Sequence, residues 1–312
     1  MFKYILVIIL ALSSVSAYAD VFDDALAQKG LTKQTARFDQ LDLGMWKGDL
    51  YRLPYFDMYH KDPYRTPDRI KTFREQISTS TNSIFGLVSY PTGPLGELIR
   101  RSLLSNPAEG FIKQSDAKDA LSASIIALWN ACGKKPGRSY INKLETDVST
   151  VPAQIAKSAD ILIYAEADAF KWRNLAFYRL APKYKLQDLY NHIITNEEKD
   201  YDFINEDMMA LPDLKLLFVG AENLAAGVDA ARDLLVKIQN CPEFTFETNT
   251  PAGKISINNN GNNTYQRDES YALIIDITGD DIYYSGANTA SIANFASILI
   301  DMSGNDRYLE TP

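Results

Sequence analysis

The sequence predicts an α+β protein, with an irregular all-helical region first and a short β-solenoid-like repeat region after it. Three observations carry that expectation. Apolar residues recur at helical spacing through much of residues 20–241. The composition changes at Pro242, where an alternating strand pattern begins. Beyond it one short pattern is written three times: Gly261-Asn262-Asn263-Thr264-Tyr265, Gly279-Asp280-Asp281-Ile282-Tyr283 and Gly304-Asn305-Asp306-Arg307-Tyr308. Three residues before each Gly stands Asn258, Asp276 or Asp301, led in by Ile255 and Ile257, Leu273 to Ile275, and Ile298 to Ile300. Repetition of this kind reads as stacked β-coils, with a short strand and a tight turn per repeat.

Residues 1–19 read as a secretory signal peptide. Lys3 supplies the positive start, Tyr4 to Leu12 the apolar core, and Ala17-Tyr18-Ala19 a small-residue cleavage site before Asp20. The apolar run is too short to span a bilayer, which takes about 20 residues; the alternative is a buried N-terminal helix. The expected address is therefore exported, periplasmic or extracellular, with no membrane span. An apolar fraction of 46% suits a chain with a real core, and a formal charge of −8 excludes a general nucleic-acid binder. Two His among 312 residues make a His-rich metal site improbable. Cys132 and Cys241 each stand near the end of an apparently helical segment. In an exported chain they are expected to form a disulfide, worth about 4–5 kcal/mol by loop closure; the alternative is two separate buried thiols.

Taken in order, the first candidate helix is 67–79, opened by Pro67-Asp68 and carrying Ile70, Phe73 and Ile77. Pro94 opens another, with Leu95, Leu98, Ile99 and Leu103 on one face. Ser115-Asp116 precedes a stripe of Leu121, Ile125, Leu128 and Trp129 that Gly133 stops. Pro152 suits the first turn of a long helix through Ile155, Ile161, Tyr164, Ala167 and Trp172 towards Tyr178. The last helix is expected after Gly220, with Leu224, Val228, Ala231, Leu235 and Ile238, ending near Cys241-Pro242. Between the first helices and the leader, Tyr51, Tyr55, Phe56, Tyr59 and Tyr64 cluster with Pro54 and Pro63. They fit an aromatic loop packed on the helices, or a surface for a sugar or peptide.

Glu243 to Thr248 alternates as a half-buried strand, and Thr250-Pro251-Ala252-Gly253 reads as a turn. The repeats of residues 242–312 follow. Asp276 and Asp301, Gly279 and Gly304, Asp281 and Asp306, and Tyr283 and Tyr308 share one 25-residue offset. Such positions form ladders in a right-handed solenoid, and Gly with Asn or Asp suits the turns without any ligand. The last copy ends at Tyr308 with only Leu309 to Pro312 beyond it. No polar cap follows, so an open coil is expected to continue in a longer natural chain or to associate with another chain.

Leu-Ile-Ile-Asp-x-x-Gly-Asp-Asp-x-Tyr followed by Ile-Leu-Ile-Asp-x-x-Gly-Asn-Asp-x-Tyr resembles the tandem repeats of uncharacterised exported bacterial proteins, in which a helical region often comes first. That resemblance covers roughly residues 250–310 and implies architecture and export, with no activity attached. Gly-x-Asp-x-large-apolar is similar in part to the calcium-binding nonapeptide of RTX proteins. The similarity implies Ca²⁺ as the candidate cofactor, with Asp276, Asp280, Asp281, Asp301, Asn305 and Asp306 as oxygen ligands. The chain departs from that pattern at Asp276-Ile277 and Asp301-Met302, in its 25-residue step, and at Asn263, which replaces a carboxylate.

No catalytic signature is present. His60 and His192 lack the spacing of a zinc-hydrolase motif, and no nucleophile elbow, phosphate loop or dinucleotide fingerprint occurs. Glu197 to Asp207 is an acidic stretch that reads as a solvated face, and Glu166 and Asp168 point in different directions on one helix. The expected role is an exported binding or scaffolding protein for a carbohydrate, peptide or protein ligand, helped by Ca²⁺. The alternative is an exported hydrolase of polysaccharide or peptide, using carboxylates of the helical region.

Overall fold

A computed structural model of the chain describes residues 23–36, 71, 74–75, 83–86, 88, 107–185, 211–284 and 294–309. The chain divides into two compact units, Met1–Thr79 and Ser80–Pro312. In the first, residues 23–27 are helical, and Thr32 and Thr35 cap each other's backbone N–H groups at 2.8 and 3.2 Å. Residues 71, 74 and 75 are helical, inside the helix expected over 67–79. The leader, the Tyr-rich stretch and the helix expected from Pro94 lie outside the described residues.

The second unit is α+β. Its helices are α1 (Pro107–Ser115), α2 (Ala120–Ala131), α3 (Arg138–Asp147), α4 (Ala153–Ala176) and α5 (Leu214–Leu235). Leu121, Ile125 and Leu128 form the buried face of α2. Gly133, at φ +72°, closes it, with the Gly133 and Lys134 N–H groups returning to the Asn130 and Trp129 carbonyls. Pro152 immediately precedes α4, whose run from Ser158 to Ile163 is buried on every side. Helices α1 and α3 carry too few periodic apolar residues to be read in advance.

Helix α5 departs from the sequence reading. It begins six residues before Gly220, where Asp213 Oδ1 accepts the Lys215 N–H at 3.0 Å, and it passes straight through that glycine. The reason is packing. A Cβ on Gly227 would come within 2.5 Å of Ala165 Cβ, and one on Gly220 within 3.0 Å of Trp172 Cβ. Both glycines let α5 lie close against α4, and neither breaks it.

The strands are β1 (Phe244–Thr250), β2 (Gly253–Asn259), β3 (Thr264–Tyr265), β4 (Tyr271–Asp276), β5 (Ile282–Tyr283), β6 (Ile298–Asp301) and β7 (Arg307–Tyr308). β1 and β2 form an antiparallel hairpin. From there all pairing is parallel and runs from repeat to repeat, giving one sheet ordered β1-β2-β4-β6 and a second ordered β3-β5-β7. Its register aligns Ile255 with Leu273 and Ile298, Asn258 with Asp276 and Asp301, and Tyr265 with Tyr283 and Tyr308.

Every residue of β4 is buried, because the larger sheet is covered on both faces. Ile255, Ile257, Leu273, Ile275 and Ile298 join one apolar cluster with Leu128, Ile155, Ile161 and other helical residues. Ile274, on the opposite face, packs with Tyr265, Tyr271 and Tyr283. Each fully buried Ile or Leu contributes roughly 1.5–3 kcal/mol. The change in composition at Pro242 thus marks where helix gives way to strand, inside one compact unit.

The expected disulfide is corrected: Cys132 and Cys241 are both free thiols. Cys132 follows α2, where burial, helped by the nearby Glu166, pushes its thiol up to about 11. Cys241 Sγ instead faces the Pro242 carbonyl at 3.4 Å. Each packs as a small hydrophobe at the edge of the shared core.

Candidate functional site

The turns between the two sheets carry two parallel ladders of Asn and Asp. In the outer one the Asp280 N–H donates to Asn262 Oδ1 and the Asn305 N–H to Asp280 Oδ1, each at 2.9 Å. In the inner one the direction reverses. The Asn263 N–H donates to Asp281 Oδ1 at 2.6 Å and the Asp281 N–H to Asp306 Oδ1 at 2.9 Å. Gly279 and Gly304 make room for this. Their φ values of +138° and +153° are open to glycine alone, and a Cβ on either would overlap the preceding repeat's glycine carbonyl.

Beside the inner ladder the repeat tyrosines stack, with ring centroids 4.8 Å apart between Tyr265 and Tyr283 and again between Tyr283 and Tyr308. That spacing is the inter-strand distance of a sheet. Tyr265 Oη donates to Asp276 Oδ2 at 2.5 Å and Tyr308 Oη to Asp301 Oδ2 at 3.0 Å. Tyr283 Oη, buried between them, has no hydrogen-bond partner.

Three of the six expected oxygen ligands come together. Asp281, Asp301 and Asp306 each offer a carboxylate oxygen, and these oxygens all lie within 4.8 Å of one another. Two ligands of one Ca²⁺, each at about 2.3–2.6 Å, are at most about 4.6–5.2 Å apart, so the group fits a single such ion. Asp281 is almost wholly buried, and its Oδ2 has no hydrogen-bond partner. Asp276 is buried beside the group, while Asp280 and Asn305 are exposed and belong to the outer ladder.

Among the described residues no Lys or Arg pairs with these four aspartates. Burial, then the charges of Asp281 and Asp301, pushes Asp276 up to about 7 against the pull of its bonds from Tyr265 and Asn263. Burial, with the neighbouring Asp306 charge, likewise raises Asp281 and Asp301. Stacked carboxylates without a counterion keep protons or take up a cation. A hard divalent ion is the match for an all-oxygen set of this kind.

In the helical part, Asp160 on α4 lines a cavity of about 490 Å³ with Asp116, Glu145 and Lys157. Ser124 Oγ lies 3.0 Å from Asp160 Oδ1, and burial lifts the carboxyl to about 7. Glu166 is fully buried with neither oxygen partnered, while Asp168 accepts from Trp172 Nε1 and Asn223 Nδ2, both at 2.8 Å. The two carboxylates do face differently, as their spacing predicts. His60, His192 and the acidic stretch from Glu197 lie outside the described residues.

Sequence reasoning named Asn263 as the residue replacing a carboxylate and Tyr283 as a ladder position, but assigned neither a role at this site. No helix among the described residues is long and apolar enough to cross a membrane. No protein-family model, no curated protein and no solved structure matches the chain.

Proposed function

We propose that this chain is an exported binding or scaffolding protein whose repeats form the coils of a short β-solenoid stiffened by Ca²⁺. The observation that carries the reading is the group of Asp281, Asp301 and Asp306, closely spaced, partly buried and without a basic partner among the described residues. Parallel pairing from repeat to repeat and the tyrosine stack support the solenoid. An ion held by aspartates of successive repeats would tie neighbouring coils together and turn their mutual repulsion into attraction. The helices, sharing one apolar core with the larger sheet, would then be carried on a rigid base that presents them to a carbohydrate, peptide or protein ligand.

Thermal melting with and without Ca²⁺ tests this. At about 100 times the dissociation constant the ion should raise the melting temperature by about 5–10 °C. Asp306→Ala should remove that response. An intact chain that melts alike in millimolar Ca²⁺ and in EDTA would leave the ladders as turn-formers only.

A further inference from the structure

We propose that the chain binds one divalent cation, between its second and third repeats, and that the Asn263 carboxamide fills the equivalent place between the first and second. This rests on the calcium reading above and adds where the ion sits and why there is one. The strand register makes the two gaps comparable. Asn258, Asp276 and Asp301 are aligned across the larger sheet, and Tyr265, Tyr283 and Tyr308 across the smaller. The inner ladder aligns Asn263, Asp281 and Asp306.

In the first gap every donor finds an acceptor. Asn263 Nδ2 donates to the Gly261 carbonyl at 2.8 Å and to Asp276 Oδ2 at 3.1 Å. Tyr265 Oη donates to that same Oδ2 at 2.5 Å, so the acceptor left over in this gap is Asp276 Oδ1. The amide brings two polar hydrogens to a point where a carbonyl and a carboxylate converge, which is the work a cation does in an oxygen cage.

In the second gap the residue at that place is Asp281, which as a carboxylate has no hydrogen to offer. Its Oδ2 is left buried without a partner, and so is Tyr283 Oη, the counterpart of the satisfied Tyr265 Oη. Tyr283 is stacked between Tyr265 and Tyr308, whose hydroxyls bond Asp276 and Asp301, so its own hydroxyl lies beside the same carboxylates. Asp281 Oδ2 and Tyr283 Oη, together with the unpartnered Asp276 Oδ1, thus adjoin the place where, among the described residues, three carboxylates converge. A buried polar atom without a partner is costly, and a cation bound here removes the deficit. The amide and the ion are alternative fillings of one repeated cage.

The test counts bound Ca²⁺ on the whole chain by isothermal titration and equilibrium dialysis, with melting in EDTA alongside. The natural sequence is expected to bind one ion, and Asn263→Asp two. Asp281→Asn should copy the first gap into the second. It should bind no ion at this site, retain Oδ1 as the acceptor for the Asn263 N–H, and melt higher than the natural sequence in EDTA. A merely damaging substitution would melt lower, and that result overturns the proposal, as does a single ion in Asn263→Asp or two in the natural sequence. No ion in the natural sequence sinks the calcium reading itself. Asp280→Asn, in the outer ladder, is expected to leave the count at one; losing the ion there would also overturn the assignment.

Discussion

Glu166 is the most exposed question at the level of single residues, because the fold hides it completely. Both its oxygens are buried and unpartnered, so burial raises its carboxyl well above the usual range and the folded chain holds it neutral. A raised folded value means the stability is whole below the unfolded value, near 4.3, and is lost as pH rises towards the folded one. Glu166→Gln keeps the shape and removes the titration. In urea denaturation the variant should be more stable than the natural sequence by about 1–3 kcal/mol at pH 8, with the difference vanishing near pH 4. Equal stability at both pH values would show that Glu166 finds a partner.

Among the elements, the α4–α5 pair is decided by two glycines that look like breakers in the sequence. Alanine in a helix interior normally gains about 1 kcal/mol over glycine. At Gly227 the new methyl would stand 2.5 Å from Ala165 Cβ, so overpacking outweighs the propensity gain. Gly227→Ala should therefore lower stability by about 1–3 kcal/mol, and adding Ala165→Gly should recover part of it because the two sites are in contact. Calorimetry of the single and double variants checks this; a stabilised Gly227→Ala would mean the helices sit farther apart. The strands tell the opposite story. The unbroken runs Leu273 to Ile275 and Ile298 to Ile300 are legible as strands, and the first is buried on both faces whereas in the second only Ile298 is fully buried.

For the whole molecule the aspartate stack links stability to both pH and calcium. Without the ion, Asp276 at about 7 and the raised Asp281 and Asp301 favour their protonated forms in the folded chain. Their contribution is whole below the unfolded value near 3.9 and is lost as pH rises through the folded values. Asp160, also lifted to about 7 by burial, works in the same direction. Melting in EDTA should therefore fall between pH 5 and pH 8. Ca²⁺ competes with protons only at the stack, so the rise it causes should be larger at pH 8 than at pH 5. A calcium response of equal size at both would place the ion elsewhere.

The sequence by itself determined the α+β composition, the strand repeats and their common register, because Gly, Asp and Tyr recur at fixed offsets and backbone pairing joins equivalent positions of successive repeats. Carboxylate oxygens of three of the six residues it proposed as ligands come within 4.8 Å of one another. Only the tertiary structure decided which three, since Asp280 and Asn305 lie exposed in the outer ladder while Asp281, Asp301 and Asp306 converge beside the inner one. It likewise decided that Cys132 and Cys241 remain apart as thiols, that α5 runs through Gly220, and that helices and repeats share one core. Those outcomes depend on distances between elements far apart in the chain, and no periodicity within a segment encodes them.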